Sequence, residues 1–180
     1  VDEGLAHPIL IGRPAVIAKR IERAGLRIRP GVDVDITNID DDPRFGDYWL
    51  HYLRKNERRG VTPSMAKAIV RSRATVIAAI MVDRGEADAM ICGTVGRYHS
   101  KLKHVLSVIE LDSVVSSPSA MTAVANDKGV FFFLDTHVQC EPTAAQIAEA
   151  ALQASYRLKL FGIVPKVALL SHSNFGSHEN

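Results

Sequence analysis

One stretch, residues 87–110, constrains what this chain can fold into more than any other. It opens with an apolar run at 87–92, whose length is typical of a strand buried on both faces. Gly93 and Gly96 interrupt the run, and apolar residues then recur at helical spacing. The pattern predicts a strand, a glycine turn and a helix, with a candidate ligand site where the helix begins. An ordinary strand-to-helix turn explains the same residues equally well.

The rest of the chain alternates between strand-like and helix-like segments. This alternation predicts an α/β fold with a mostly parallel sheet and flanking helices. The last predicted strand leads into a polar tail with no helix after it, so we expect a domain that is incomplete at its C-terminal side. The predicted strands are 7–11, 32–36, 87–92, 114–115, 129–135 (including three consecutive phenylalanines, expected to be buried) and 167–170, and the other predicted helices are 14–24, 45–55, 63–84 (with a break near Ser72) and 142–160.

Composition excludes several classes of protein. The chain has 180 residues, of which 47% are hydrophobic and 23% charged, which is typical of a globular protein. The net charge of +2 argues against a nucleic-acid or membrane partner. Cys92 and Cys140 show no metal-ligand spacing, and the N-terminus lacks an export signal. We therefore expect a cytoplasmic protein with reduced thiols, cut from a longer chain.

Two further groups of residues suggest other chemistries, a metal site and a nucleophile. Asp135, His137 and Cys140 are possible metal ligands, but without a fourth ligand at regular spacing we favour ordinary loop groups and expect no metal. The serines and histidines of 171–178 suggest a nucleophile and a base, but no GxSxG motif surrounds them. A serine-rich loop after a strand more often binds a ligand through hydroxyl and N–H groups. The glycines at 93 and 96 form no GxGxxG motif, and the segment from Gly60 to Lys67 is not a P-loop.

Four segments, in order, carry a family resemblance: LRKNERRGVTPSMA, ADAMICGTVGRYHSKLKHVLSVIE, PTAAQIAEAALQAS and FGIVPKVALLSHSNFGS. Together they resemble the phosphotransacetylase (phosphate acetyl/butyryltransferase) family. The resemblance implies a two-lobed architecture like that of isocitrate and isopropylmalate dehydrogenases, with a cleft for coenzyme A and acyl phosphate. It also implies a first lobe at 1–110 and part of a second, truncated lobe at 111–180.

Departures from the transferase pattern indicate a subfamily. Arg97 and Tyr98 stand where active transferases carry a Ser/Thr pair, and Lys103 stands where they carry an arginine. Phe175 replaces the lysine of their Ser-Thr-Lys-Gly-Ser loop, which removes a cation that an acyl-phosphate transition state would use. The SNFGS form is similar to the C-terminal phosphotransacetylase-like domain of bacterial NADP-dependent malic enzymes.

That resemblance implies a regulatory, non-catalytic domain that binds acetyl-CoA as an allosteric effector. The malic enzyme region of the same chain would use NADP and a divalent metal, and the family resemblance also implies a homo-oligomer. The alternative is an active phosphate acetyltransferase in which Arg54 holds phosphate. For either function no catalytic residue is assigned, and the predicted ligand-binding residues are Arg54, Thr94, Arg97, Tyr98, Lys103, Ser171, Ser173, Asn174 and Ser177.

Overall fold

The computed structural model describes residues 1–113, 115–135, 137–139 and 141–170. The chain divides into two compact units, Val1–Glu110 and Leu111–Asn180. Within the described residues, no helix is long and apolar enough to cross a membrane. The first unit contains β1 (Ile9–Ile11), α1 (Pro14–Arg23), β2 (Asp35–Thr37), α2 (Phe45–Asn56), a 3₁₀ turn (Glu57–Arg59), α3 (Pro63–Ser72), α4 (Ala74–Asp83) and α5 (Tyr98–Leu106). The second contains β3 (Met121–Asn126), β4 (Gly129–Leu134) and α6 (Ala144–Leu160).

Helix α4 is the centre of the first unit. Its sequence is apolar on nearly every side, and six of its ten residues are buried. A helix with no polar face has to be surrounded, and α4 packs against α2, α3, α5 and β1. The buried core around it consists of Tyr48, Tyr52, Ala66, Val70, Val76, Ile77, Ala79, Ile80, Met81 and Val108.

Local signals set the helix boundaries in this unit. Thr62 is the N-cap of α3 and accepts a hydrogen bond from the backbone N–H of Met65 at 3.3 Å, and Pro63 follows at the first helical position. Arg73 then adopts an extended conformation (φ −127°, ψ 91°), which ends α3 and allows α4 to start in a new direction. The predicted break near Ser72 is confirmed.

A partly buried polar cluster joins β2 and α2 to the turn after α4. The guanidinium of Arg44 donates to both carboxylate oxygens of Asp42 (3.0 and 2.8 Å), to Glu86 (3.1 Å) and to the hydroxyl of Thr37 (3.3 Å). The hydrogen bond to Asp42 raises the pKa of Arg44 and lowers that of Asp42. Burial, followed by the hydrogen bond to Glu86, raises the pKa of Tyr48. At neutral pH, Arg44 and Asp42 are therefore charged and Tyr48 is neutral.

The strand prediction at 87–92 is wrong. These residues form neither a strand nor a helix, and Ile91, which a doubly buried strand would hide, is fully exposed. The segment has the composition of a buried strand, but no described strand pairs with it. The second predicted strand is displaced as well, because β2 spans Asp35–Thr37 and Val32 lies in an exposed turn.

The sheets of the described residues are small. β1 pairs with β2 in parallel over three residues, and β3 pairs with β4 in antiparallel fashion over six. The prediction of a mostly parallel sheet is therefore not confirmed. The sequence predicts no strand at β3, because its first residues follow a Ser- and Pro-rich segment that indicates a loop. Residue 115 and residues 167–170 are not in strands, and Val114 lies outside the described residues.

The β3–β4 hairpin also corrects the prediction that the phenylalanine run is buried. Phe131 and Phe133 lie on the same side of β4 and are each 46% exposed, whereas Phe132 points to the other side. Helix α6 begins as predicted, with Thr143 as N-cap and Gln146 completing a capping box. Its buried residues are Ala150, Ala154 and Leu158.

Candidate functional site

A cleft of about 400 Å³ lies within the first unit, between the start of α4 and the start of α5. Residues from both helices and from the turn before α5 form its walls, so the cleft depends on the packing of α4 against α5. The lining residues are Ser72, Arg73, Ala74, Thr75, Val95, Gly96, Arg97, Ser100, Lys101 and His104.

The starts of both helices meet in this cleft. Arg73 is the N-cap of α4 and Arg97 is the N-cap of α5, and neither side chain makes a capping hydrogen bond. Neither helix has an acidic residue in its first turn. Because the N-terminal N–H groups of a helix carry partial positive charge, both helix ends add to the positive potential of the cleft.

The turn before α5 owes its shape to glycine. Gly93 and Gly96 have φ values of 141° and 93°, in a region that residues with a Cβ rarely adopt. Thr94 between them also has a positive φ, of 60°, and its hydroxyl donates to the carbonyl of Gly93 at 2.9 Å. The side chain of Lys101 passes close to Gly96, since a Cβ placed there would lie 3.9 Å from Cε of Lys101. The turn thus delivers Arg97 and Lys101 to the same wall.

The charge of the cleft has one sign. Arg73, Arg97 and Lys101 line it, and no aspartate or glutamate does. Partial burial, followed by the nearby charges of Arg73, Lys101 and Lys103, lowers the pKa of His104 below its ordinary value of 6.5. His104 is therefore neutral at pH 7 and contributes a hydrogen-bonding imidazole, while the other three side chains supply charge. Such a site suits an anion.

Of the predicted ligand residues, the structure places Arg97 in this cleft. Thr94, Tyr98 and Lys103 are close in sequence but are not among the lining residues. Tyr98 packs edge-on against His99, with ring centroids 5.8 Å apart, and Lys103 is exposed. Arg54 is exposed in the last turn of α2 and does not line the cleft. The other predicted residues, Ser171, Ser173, Asn174 and Ser177, lie outside the described residues.

Sequence reasoning missed Arg73, Lys101 and His104 as members of one site. The helical period indicates two of them, because Lys101 and His104 follow Arg97 at the i+4 and i+7 positions of one helix face. Lys103, the lysine chosen from the family pattern, falls off that face. Arg73 had no comparable signal, since it reaches the cleft through the packing of α4 on α5.

The metal alternative concerns Asp135, His137 and Cys140. Across the described ranges, no group of three His, Cys, Asp or Glu side chains could hold a metal ion. Cys140, one of the residues weighed as a ligand, lies outside those ranges. The serine and histidine tail at 171–178 does so too.

Comparison with known proteins identifies the family. The family model described as phosphate acetyl/butaryl transferase matches residues 1–180. The chain belongs to this family. The phosphotransacetylase resemblance noted in the sequence is confirmed.

Relatives of two kinds match almost the whole chain. The NADP-dependent malic enzyme of Escherichia coli K12 is 52% identical over 99% of the chain, and the NAD-dependent malic enzyme of Rhizobium meliloti is 47% identical over 100%. The phosphate acetyltransferase of Nitratidesulfovibrio vulgaris is 30% identical over 98%. The chain spans about a quarter of the length of each of these proteins, 24%, 23% and 25% respectively.

A solved structure agrees on the fold. EutD phosphotransacetylase from Staphylococcus aureus matches with a TM-score of 0.77 at 20% sequence identity, over 97% of this chain and 51% of that one. The fold is therefore the α/β fold of a phosphotransacetylase. The likeness to isocitrate and isopropylmalate dehydrogenases, and the assignment of 1–110 and 111–180 to two lobes of one domain, stay predictions.

Proposed function

We propose that this chain is the regulatory, non-catalytic phosphotransacetylase-like domain of a malic enzyme and that it binds acetyl-CoA as an allosteric effector. One observation carries the proposal. Identity to malic enzymes is 52% and 51% for the enterobacterial ones, but 30% or less to the phosphate acetyltransferases, over nearly the same residues. A chain that kept the transferase chemistry would be expected to resemble the transferases more closely.

The side chains at four positions support a loss of acetyl transfer. Attack of a thiol on an acyl phosphate develops negative charge, which active sites stabilise with fixed cations and hydrogen-bond donors. Lys103 replaces an arginine of the transferase pattern, and a lysine cannot reproduce the planar two-donor fork of a guanidinium. Phe175 replaces a lysine with an apolar ring. Arg97 and Tyr98 replace the small hydroxyl residues of the transferase pattern.

The proposal extends to the whole protein that carries this domain. There, a separate region would convert malate to pyruvate by oxidative decarboxylation with NADP and a divalent metal. Acetyl-CoA bound to this domain would inhibit that region. The protein would be a cytoplasmic homo-oligomer, with no nucleic-acid or membrane partner.

The second candidate is an active phosphate acetyltransferase that transfers acetyl groups between phosphate and coenzyme A. The observation in its favour is the family match along all 180 residues together with the 30% identity to one such enzyme. Arg54, which the family resemblance assigns to phosphate, is present and exposed. In this function Arg54 would hold the phosphate and the serines of 171–177 would line the site.

Formation of acetyl-CoA from acetyl phosphate and coenzyme A separates the two functions. The regulatory proposal predicts turnover no faster than an uncatalysed control. Turnover well above that control, and abolished by Arg54→Ala, would establish the transferase instead. The intact protein should be assayed in parallel for malate decarboxylation with and without acetyl-CoA, so that an inactive preparation is recognised.

A further inference from the structure

Helix α5 is held more firmly at its end than at its start. Residues 91–100, which include the first three residues of the helix, are all exposed, and α5 contains no buried residue. From Lys101 onward most of its residues are partly buried, and Val108, two residues after the helix ends, lies in the core. The helix that α5 packs against is α4. The contacts that hold α5 are therefore concentrated at its C-terminal end.

Asn56 is the anchor at that end. It is 3% exposed, and its Nδ2 donates to the carbonyl of Ser107 at 2.8 Å. Ser107 is the C-cap of α5, so this hydrogen bond satisfies a carbonyl that the end of a helix leaves without a helical partner. The neighbouring Lys55 reinforces the anchor, because its Nζ lies 3.1 Å from Asp83 and 3.7 Å from Glu110. Helix α2 therefore fixes the end of α5.

The segment before α5 has the properties of a hinge. Among the described residues, no backbone hydrogen bond joins residues 88–96 to another part of the chain. Gly93 and Gly96 lie within this segment at positive φ, and glycine passes between backbone conformations at less cost than other residues. With few restraints on one side and an anchor on the other, α5 can move as a unit while the core around α4 stays folded.

We propose that α5 is a lid on the cleft, which opens when its start detaches from α4 and closes when a ligand contacts both helices. Arg73 at the start of α4 repels Arg97 and Lys101 of the lid, which favours opening when no ligand is bound. A ligand that neutralises these charges favours closing. The ligand shifts the protein between two states of the same fold, because it binds the closed state more tightly.

This inference goes beyond the proposed function and does not depend on which ligand the protein binds in the cell. A nine-residue helix that detaches is too short to stay helical in water, so its amides exchange with solvent each time the lid opens. In α4, six of ten residues are buried, and its amides exchange when the whole unit unfolds. Lid opening exposes little surface, so its free energy depends less on urea than that of global unfolding.

The test is hydrogen exchange of the intact protein, measured by mass spectrometry at several low urea concentrations, with inorganic phosphate and acetyl-CoA as probes. Without a probe, the amides of α5 should exchange at least a hundredfold faster than those of α4, at a rate that low urea changes little. A saturating probe should slow them at least tenfold and leave α4 unchanged. Exchange of α5 with the rate and urea dependence of α4 would overturn the lid, and so would fast exchange that neither probe slows.

Asn56→Ala tests the anchor. The amides of residues 107–109 donate to carbonyls of α5, and in this variant they should exchange roughly tenfold to a hundredfold faster relative to α4. Using α4 as the reference removes any general loss of stability. Lys55→Gln should have a smaller effect in the same direction and provides the measurement if Asn56→Ala does not fold. Asn126→Ala, at the end of β3, is the matched control and should leave these amides unchanged. Wild-type exchange of 107–109 in the anchor variants would contradict the anchor.

The outcomes separate the lid from the proposed function. Slowing of α5 by phosphate but not by acetyl-CoA would support the lid and refute acetyl-CoA as the effector. Inhibition of malate decarboxylation by acetyl-CoA, with α5 slowed by neither probe, would support the effector and overturn the lid. Slowing of α5 by acetyl-CoA, together with inhibition, would support both.

Discussion

The hydroxyl of Tyr48 donates a hydrogen bond of 2.6 Å to Oε2 of Glu86. The ring of Tyr48 is completely buried in the core around α4, and Glu86 lies in the turn that follows α4. The same carboxylate oxygen accepts from Arg44 at 3.1 Å, and Arg84 binds the other oxygen. The partly buried carboxylate of Glu86 thus connects α2 with the turn that leads into the segment before α5.

Tyr48→Phe should destabilise the first unit by roughly 1–3 kcal/mol, because it removes the hydroxyl donor and leaves a partly buried carboxylate oxygen with fewer partners. Urea unfolding, followed by the fluorescence of Trp49, the single tryptophan of the chain, measures the effect. Tyr156→Phe, the same change at an exposed residue of α6, serves as the control. Equal unfolding midpoints for the two variants would contradict the role given to this hydrogen bond.

The same cluster should make the stability depend on acid. Burial alone raises the pKa of Glu86, but hydrogen bonds from Tyr48 and Arg84 outweigh it and hold the pKa below its ordinary value of 4.5. A carboxyl whose pKa is lower in the folded state stabilises the fold above its unfolded pKa, and the contribution disappears as the pH falls through the folded pKa. The free energy of unfolding should therefore decrease as the pH is lowered below about 4.5.

Glu86→Gln tests the origin of this acid sensitivity. The variant should be less stable than the wild type at pH 7 and should lose less stability on acidification, because it has no carboxyl to protonate at that position. Urea unfolding at a series of pH values from 7 to 3 gives both slopes. Parallel curves for wild type and variant would assign the acid sensitivity to other carboxyls, such as Asp42 or Asp83, whose pKa values are also lowered.

Helix ends were predictable because their signals are local. Pro14, Thr62 with Pro63, and Thr143 each lie at the helix start that the sequence indicates. Strands were less predictable, because a strand needs a partner strand, and its own residues do not specify that partner. The apolar run at 87–92 has strand composition without a pairing partner, whereas β3 pairs with β4 despite following a loop-like segment.

The candidate site was partly predictable for the same reason. The glycine turn and Arg97 are encoded within a few residues, and the sequence predicts a ligand site there. Arg73 arrives from a different helix, and only the contact between α4 and α5 brings it to Arg97. Choosing Lys103 over Lys101 followed a family position, although the helical period puts Lys101 on the face of Arg97.

In the second unit, Thr143→Ala should destabilise α6 by about 1 kcal/mol, because the side chain of Thr143 accepts the backbone N–H of Gln146 and closes the capping box. Amide hydrogen exchange should become faster in the first turn of α6. Thr143→Ser keeps the acceptor and should retain nearly wild-type exchange. If both variants exchange like the wild type, the box contributes nothing measurable to the helix.

Self-association is predicted from α6 and from the family resemblance. Leu152, Tyr156 and Leu160 are spaced four residues apart, lie on one face and are exposed. Burial of such a stripe between two copies would be favourable, so Tyr156→Glu should shift the protein toward monomer. Lys159→Gln changes the charge of the same helix by an equal amount and should not. Sedimentation at micromolar concentration measures the difference, and a wild type that is monomeric throughout would refute the prediction.

The regulatory account depends most directly on how acetyl-CoA affects malate decarboxylation by the intact protein. The rate should fall as acetyl-CoA is added. With each rate normalised to that protein's own uninhibited rate, Arg97→Ala should raise the half-inhibiting concentration of acetyl-CoA roughly tenfold to a hundredfold over the wild type. Arg59→Gln should keep the wild-type concentration. A malate rate that does not respond to acetyl-CoA, or an inhibition curve that Arg97→Ala leaves in place, would contradict the account.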